Sequence, residues 1–163
     1  MKRVLLDTNI YGELIFDEQF VLLKEKIPSL FVVHGFQIVR QELRAVPSRI
    51  KTNGVNVRLG VLHIYDELTK KSYAITSDVK RLSELYHQSY RLFGGSLSYD
   101  AVKNDFMIVA CASIHGIDIV VSEDAKTMLV ESAKKAYSAT NNIEKLRIPT
   151  FIGYLEFKKW LAL

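Results

Sequence analysis

Residues 3–7, RVLLD, form a short apolar run that ends in an aspartate. A run this short, apolar on both faces and bounded by polar residues, predicts a buried parallel β-strand rather than a helix. Residues 30–34, LFVVH, and residues 117–124, IDIVVSED, have the same character. Because parallel strands need crossover connections, which cover the sheet with helices, these runs predict an α/β fold with a central parallel sheet.

Helical periodicity fills the segments between these strands. Apolar residues recur at helical spacing in residues 17–27, where Pro28 is predicted to end the helix, and again in residues 38–46. Residues 57–68 and 82–93 show the same spacing, which predicts a long helical pair inserted in the middle of the chain. The expected architecture is a three-layer α/β/α sandwich.

The last third of the chain continues the alternation. Residues 102–115 are apolar nearly all round, so we predict a helix that is buried on most sides and stopped by Gly116. A helix over residues 126–139, an extended piece and an amphipathic tail over residues 154–163 follow. A chain of 163 residues that is 48% hydrophobic can bury one sizeable core, so we expect a single domain spanning residues 1–163.

Composition excludes several classes of protein. The N-terminus has no room for the apolar region of a signal peptide, and the longest apolar run, FMIVACASI, falls short of the roughly 20 residues that cross a bilayer. The lone cysteine, Cys111, rules out an internal disulfide framework. We therefore expect a cytoplasmic protein with no membrane partner.

The formal net charge of +4 permits a phosphate-bearing partner. Basic residues are concentrated in one part of the chain: Lys70, Lys71, Lys80, Arg81 and Arg91. They are interpreted either as the solvated faces of helices or as an approach for the phosphate backbone of RNA.

Four acidic residues are predicted to share one neighbourhood. In an open parallel sheet, ligands bind beyond the carboxyl ends of the strands. Asp7 and Asp124 end strands directly, Glu42 lies on an early turn of the helix after the second strand, and Asp105 lies in the first turn of the buried helix. Each one alone has an ordinary explanation as a helix cap, a turn residue or an exposed helical acid.

Taken together, these acids imply a cation. Ionised carboxylates that share a cleft repel one another and are costly unless they are neutralised. All the candidate ligands are hard oxygens, and the histidines and the cysteine show no zinc-like spacing. Mg²⁺ or Mn²⁺ is therefore favoured over zinc.

Four short segments, VLLDTN, RQEL, NDFMIVACA and VVSED, resemble in this order the acidic motifs of PIN domains. The resemblance covers nearly the whole chain and includes PTFIGYLEFKKWL, which is similar to the last strand and terminal helix of that family. It implies a metal-dependent ribonuclease, often the toxin of a VapC-type toxin–antitoxin pair with an antitoxin protein as partner, and often a homodimer. The acidic positions of the family fall on Asp7, Glu42, Asp105 and Asp124, and its polar helpers fall on Asn9 and Ser122.

On this basis we expect that RNA is hydrolysed by a water molecule that a bound divalent metal ion activates. The three aspartates would hold the metal directly or through its waters, and Glu42 would contact such a water or act as general base. The side chains of Ser122 and Asn9 would orient the carboxylates. Whether one or two metals bind, and whether Asp100 or Glu123 joins the site, stays open at this point.

Three other classes of function are alternatives to a ribonuclease. A non-catalytic PIN-like module would bind RNA or a protein without cutting, and a metal titration separates it from the enzyme. An aspartate-dependent phosphotransferase would use Asp7 as nucleophile, but such enzymes usually carry a second aspartate where Asn9 stands. A nucleotide-binding switch is disfavoured because no glycine-rich phosphate loop follows the first strand.

Overall fold

A five-stranded parallel sheet lies at the centre of the computed structural model, which describes residues 1–163. The strands in chain order are β1 (Lys2–Leu6), β2 (Phe31–Phe36), β3 (Lys51–Thr52), β4 (Val55–Asn56), β5 (Thr69–Tyr73), β6 (Ile119–Val121) and β7 (Thr150–Ile152). The order in the sheet is β5-β2-β1-β6-β7, whereas β3 and β4 form a separate antiparallel hairpin. The predicted α/β class and parallel sheet are confirmed.

Helices flank this sheet. They are α1 (Thr8–Phe16), α2 (Phe20–Leu30), α3 (Gln37–Arg44), α4 (Val57–Leu68), α5 (Ser77–Leu92), α6 (Tyr99–Ile114), α7 (Glu131–Glu144) and α8 (Tyr154–Trp160). The helix α4 packs against α1, α2 and α3, whereas α5 packs against α6 and α7. None of these helices has the length and apolar character needed to cross a membrane.

The core explains why the central strands are apolar throughout. The residues from Val4 to Leu6 in β1 and from Ile119 to Val121 in β6 are all at most 1% exposed. A parallel strand covered by helices on both faces buries every side chain, so its sequence shows no polar alternation. The helix α6 is buried in the same way, since every residue from Phe106 to Ala112 is at most 7% exposed.

One strand separates the two middle helices, and the sequence pattern missed it. The strand β5 pairs only with β2, so it is an edge strand, and Lys70 to Ser72 are exposed. Because an edge strand with a wet face needs no continuous apolar run, TKKSY carries no strand signal of the buried kind. The helices α4 and α5 therefore do not pack as a pair, but join different groups of helices.

Near the N-terminus one predicted boundary was wrong and one helix was missed. The helix α1, which begins directly after Asp7, was not predicted, and α2 continues past Pro28 to Leu30. A proline in the last turn removes a single backbone hydrogen bond, so the helix ends only two residues later. The hairpin of β3 and β4 was also missed, although Asn53 and Gly54 both have positive φ, as a two-residue type I′ turn requires.

Two further boundaries differ around the candidate acids. The helix α6 begins at Tyr99, where the Ser98 side chain accepts a hydrogen bond from the amide of Ala101, so Asp105 lies in its second turn rather than its first. The helix α7 begins at Glu131 rather than near residue 126, because Asp124 draws the following residues into a side-chain-capped turn.

Candidate metal centre

Asp7 and Asp124 lie at the same edge of the sheet because they follow neighbouring parallel strands. In the register of β1 and β6, Leu6 is opposite Val121. The backbone amide of Asp7 continues this pairing by donating to the carbonyl oxygen of Val121 at 2.9 Å. Asp7 also caps α1, and it is only 4% exposed.

Ser122 links these two aspartates. Its Oγ donates to Asp7 Oδ2 at 2.6 Å and accepts from the backbone amide of Asp124 at 3.0 Å. The serine is fully buried, so no water competes for its hydroxyl. Burial raises the pKa of Asp7, hydrogen bonds from Ser122 and from the Thr8 amide lower it in part, and the charge of Asp124 raises it further.

Thr127 brings Asp105 to the same place. Its Oγ1 lies 2.5 Å from Asp124 Oδ2 and also contacts Asp105 Oδ2. Burial and the charges of Asp124 and Asp7 raise the pKa of Asp105 to about 7. Burial also acts on Asp124, but hydrogen bonds from the Thr127 hydroxyl and from the amides of Thr127 and Lys126 outweigh it, so the pKa of Asp124 lies below its usual range.

Glu42 enters from α3. Thr8 Oγ1 donates to Glu42 Oε1 at 2.8 Å, and the side chain of Asn104 on α6 lies close enough to lower the pKa of this carboxylate in part. Burial raises the pKa of Glu42, and the charges of Asp7 and Asp124 raise it further. The acids on α3 and α6 thus lie within electrostatic reach of those that follow β1 and β6.

The donor set fits a hard divalent cation, because every candidate ligand is a carboxylate oxygen. A cation would also offset the repulsion that adds to the effect of burial in raising three of the four pKa values. As the side chains stand, no three acidic, histidine or cysteine side chains are close enough together to hold a metal ion directly. Mg²⁺ keeps several waters in proteins and usually takes only one or two carboxylates directly, so wider spacing suits it.

No known family model and no curated protein matches the sequence. Solved structures do match. A chain of VapBC2 from Rickettsia felis, bound to a DNA fragment from the promoter, superposes with a TM-score of 0.61 at 14% identity, over 93% of this chain and 98% of that one. A chain of FitAcB from Neisseria gonorrhoeae gives 0.56 at 18% identity, over 91% and 96%. A chain of DNA-bound VapBC from Salmonella typhimurium gives 0.58 at 14% identity, over 94% and 98%.

This chain has the PIN-domain fold. The predicted resemblance is confirmed at the level of the fold, since the likeness covers more than nine-tenths of the chain. Identities of 14–18% show the fold alone, so the activity of this PIN-fold protein depends on its own residues.

Three candidate site residues of this PIN-fold protein make no contact with the four clustered acids. Asn9 is exposed and lines a neighbouring cavity, and it makes no hydrogen bond to any of the acids. Glu123 turns away from the cluster, because its Oε1 accepts from the backbone amide of Tyr154. Asp100 is exposed and pairs with Lys103 at 3.4 Å. Neither of these two acids joins the four.

Two of the basic residues predicted to form one approach for RNA contact separate parts of the chain instead. Arg81 pairs with Glu144 at 3.1 Å, at the end of α7. That end lies at the opposite edge of the sheet, since Arg147 a few residues later pairs with Asp118, just before β6 begins. Arg91 donates instead to the carbonyl oxygen of Ser96. Arg81 and Arg91 therefore do not line one approach, whereas for the exposed side chains of Lys70, Lys71 and Lys80 it stays a prediction.

Three residues that contact the acids were missed by the sequence analysis: Thr8, Asn104 and Thr127. A signal existed for two of them. Thr8 directly follows the first acid, and Thr127 stands three residues after Asp124, the spacing at which an aspartate caps a turn. Asn104 showed no such signal in the sequence, because the neighbouring acid, Glu42, is distant from it along the chain.

Proposed function

We propose that this PIN-fold protein is a metal-dependent endoribonuclease that hydrolyses the phosphodiester bonds of RNA. The observation that carries the proposal is the convergence of Asp7, Glu42, Asp105 and Asp124, which come from separate segments. Besides burial, the charge of Asp124 raises the pKa values of the other three. A fold seldom gathers uncompensated carboxylates, because their repulsion destabilises it. The likeness of the fold to VapBC and FitAB structures supports a nuclease.

The three aspartates would hold Mg²⁺ or Mn²⁺ directly or through its waters, and Glu42 would complete the set. Such an ion supplies a water of lowered pKa and stabilises negative charge on the phosphate. Ser122 and the amide of Thr8 fix both oxygens of the Asp7 carboxylate, with hydrogen bonds of 2.6 and 2.7 Å. Support of this kind around a metal ligand typically sets metal affinity.

Glu42 is the residue we assign to proton transfer. Its raised pKa makes it a better proton acceptor than an exposed glutamate, and the Thr8 hydroxyl holds it at 2.8 Å. In the proposed step a water oxygen attacks the phosphorus and its proton passes to Glu42. The bond from phosphorus to the ester oxygen breaks, and the electron pair leaves with that oxygen. No covalent intermediate with the enzyme is needed.

The partner we propose is an antitoxin protein, with this chain as the toxin of the pair. The support is that the matched folds come from VapBC and FitAB structures, some of them bound to DNA. A homodimer stays a prediction from the family resemblance, and a cytoplasmic location stays a prediction from the composition of the chain. Size-exclusion chromatography of the purified chain tests the dimer, and co-purification with the product of an adjacent short reading frame tests the antitoxin.

The deciding experiment is cleavage of an end-labelled RNA with Mg²⁺, with Mn²⁺ and with EDTA. Cleavage should require the metal and should be lost in Asp7→Asn and Asp105→Asn. Asp100→Asn is a matched control, because it makes the same chemical change on the helix that carries Asp105, at an exposed side chain outside the cluster. The control should cut at the wild-type rate.

Equal cleavage by wild type, Asp7→Asn and Asp105→Asn would assign the activity to a contaminating nuclease and end the proposal. The rival, a PIN-like module that binds without cutting, predicts RNA binding with no cleavage under any metal. A calorimetric titration with Mn²⁺ separates the two further, since the enzyme must take up the ion and should lose that uptake in Asp7→Asn.

A further inference from the structure

A second cavity opens at the carboxyl edge of the sheet, beside the metal centre. Its volume is about 380 Å³, and it is lined by one face of α3 and by the end of β5: Gln37, Arg40, Gln41, Arg44, Ser72, Tyr73 and Ala74. At 100° per residue along α3, Glu42 projects from the side that buries Ile38 and Val39, whereas Arg44 projects from the opposite side. The helix α3 therefore stands between this cavity and the carboxylates.

A neighbouring cavity lies on the other side of Arg44. Its volume is about 230 Å³, and it is lined by Arg44 together with Arg58, Leu59 and Leu62 of α4. We call these two adjoining cavities, which share Arg44, the arginine groove. No acidic residue lines either one. By contrast, the cavity beside Asn9 is lined by Glu13, Asp17 and Glu18 with a single lysine, so its charge repels phosphate.

The charges of the arginine groove are available to a ligand. Arg44 is exposed, and neither Arg44 nor Arg58 makes a side-chain hydrogen bond or an ion pair with the rest of the chain. Arg40 is held differently, because Asp66 accepts from its Nε and Nη2 at 3.1 Å each. That bidentate pair fixes the guanidinium at the wall of the groove.

We propose that the arginine groove binds phosphates of a single-stranded RNA whose scissile bond lies at the carboxylates, an inference that rests on the proposed function. Guanidinium groups bind phosphate oxygens bidentately and remain charged at any working pH. The strands β5, β2 and β1 are neighbours, so the groove lies about 10 Å along the sheet edge from Asp7. The exposed side chain of Leu59 offers an apolar surface for an unpaired base.

The test is RNA binding by the Asp7→Asn protein, which holds the strand without cutting it. Fluorescence anisotropy with a labelled single-stranded RNA is measured over a range of salt concentrations, with and without Arg44→Gln. Affinity should fall about fivefold to tenfold. The slope of log K against log salt should become shallower by about 0.7, the value for one lost phosphate contact on a single strand.

Arg81→Gln is the matched control, because it removes the same charge at the opposite edge of the sheet. It should change neither affinity nor slope. Since the Arg44 side chain has no partner within the chain, Arg44→Gln should keep the thermal unfolding midpoint of its parent, and this is measured alongside.

Unchanged affinity and slope in Arg44→Gln would overturn the proposal. So would an equal loss in Arg81→Gln. The two proposals fail separately: a chain that cuts RNA with metal but ignores Arg44→Gln keeps the nuclease and loses the groove. A chain that never cuts RNA but binds it through Arg44 loses the nuclease and keeps an RNA-binding groove.

Discussion

Asp105→Asn is expected to stabilise the metal-free protein while it abolishes activity. Burial and the charges of Asp124 and Asp7 raise the pKa of Asp105 to about 7, from an ordinary value of 3.8. The folded protein therefore keeps this proton across an interval in which the unfolded chain has lost it. Stability falls as pH rises through that interval, and the loss is complete above about pH 7.

The size of the effect follows from that pKa. Each pKa unit corresponds to about 1.4 kcal/mol, so the full effect would be about 4 kcal/mol. Asp105 is only half-buried, and solvent screens part of its charge, so we expect roughly 2 kcal/mol. Asparagine keeps the shape of the side chain and an oxygen that can accept from Thr127, but it carries no charge.

Urea unfolding in EDTA at several pH values measures this. The difference in unfolding free energy between Asp105→Asn and wild type should be smallest near pH 4 and reach its full value above pH 7. Added Mn²⁺ should raise the stability of wild type and leave the variant unchanged. Asp100→Asn, at an exposed position on the same helix, should show neither effect. A variant that is less stable than wild type at pH 8 would refute the reasoning.

Three further substitutions follow from the structure. Ser122→Ala removes a fully buried hydroxyl from the metal centre and should weaken the affinity for Mn²⁺ about 10- to 100-fold in calorimetry, whereas wild-type affinity would contradict its role. Gly35→Ala should lower the unfolding free energy, measured by urea unfolding, by about 1–3 kcal/mol, because the added Cβ would meet the hydroxyl of Tyr65. Gly12→Ala is the control, since no atom lies within 4 Å of the Cβ that it would add. Asp118→Asn should reduce the loss of stability in acid, because the Arg3 amide holds the pKa of Asp118 below its usual range. The ionised carboxylate therefore stabilises the fold above pH 4, and that contribution disappears as pH falls. A thermal unfolding midpoint that falls in acid as steeply as in wild type would contradict this.

The carboxyl edge of the sheet shows how far sequence alone could go for the site. Asp7 and Asp124 follow buried strands, and the rule for parallel sheets puts the ends of neighbouring strands together. The same rule identified Glu42 and Asp105 as candidates, from the helices that begin near that edge. It could not place the hydroxyls of Thr8 and Thr127 against Glu42 and Asp105, because hydrogen bonds between distant segments leave no periodic pattern in the chain.

The basic residues show where sequence alone fails. A cluster between residues 70 and 91 is close in sequence, but β5 and α5 carry its members to different parts of the molecule. Arg81 points to Glu144 at the far edge of the sheet. Meanwhile Arg44 and Arg58, which are separated by the hairpin of β3 and β4, line one groove. Charge clustering along a chain and charge clustering in space coincide only within one helix face or one strand.

By itself, the sequence of this protein determined the central strands, the buried helix α6 and the order of the acids. Full burial makes these segments apolar all round, and that property is local and readable. Only the tertiary structure decided that β5 is an edge strand of the sheet and that Thr127 contacts both Asp105 and Asp124. It also decided that arginines from α3 and α4 line the same cavity. The physical reason is that an exposed edge strand and a polar contact depend on neighbours from elsewhere in the chain, and residues with such neighbours differ in no local way from residues without them.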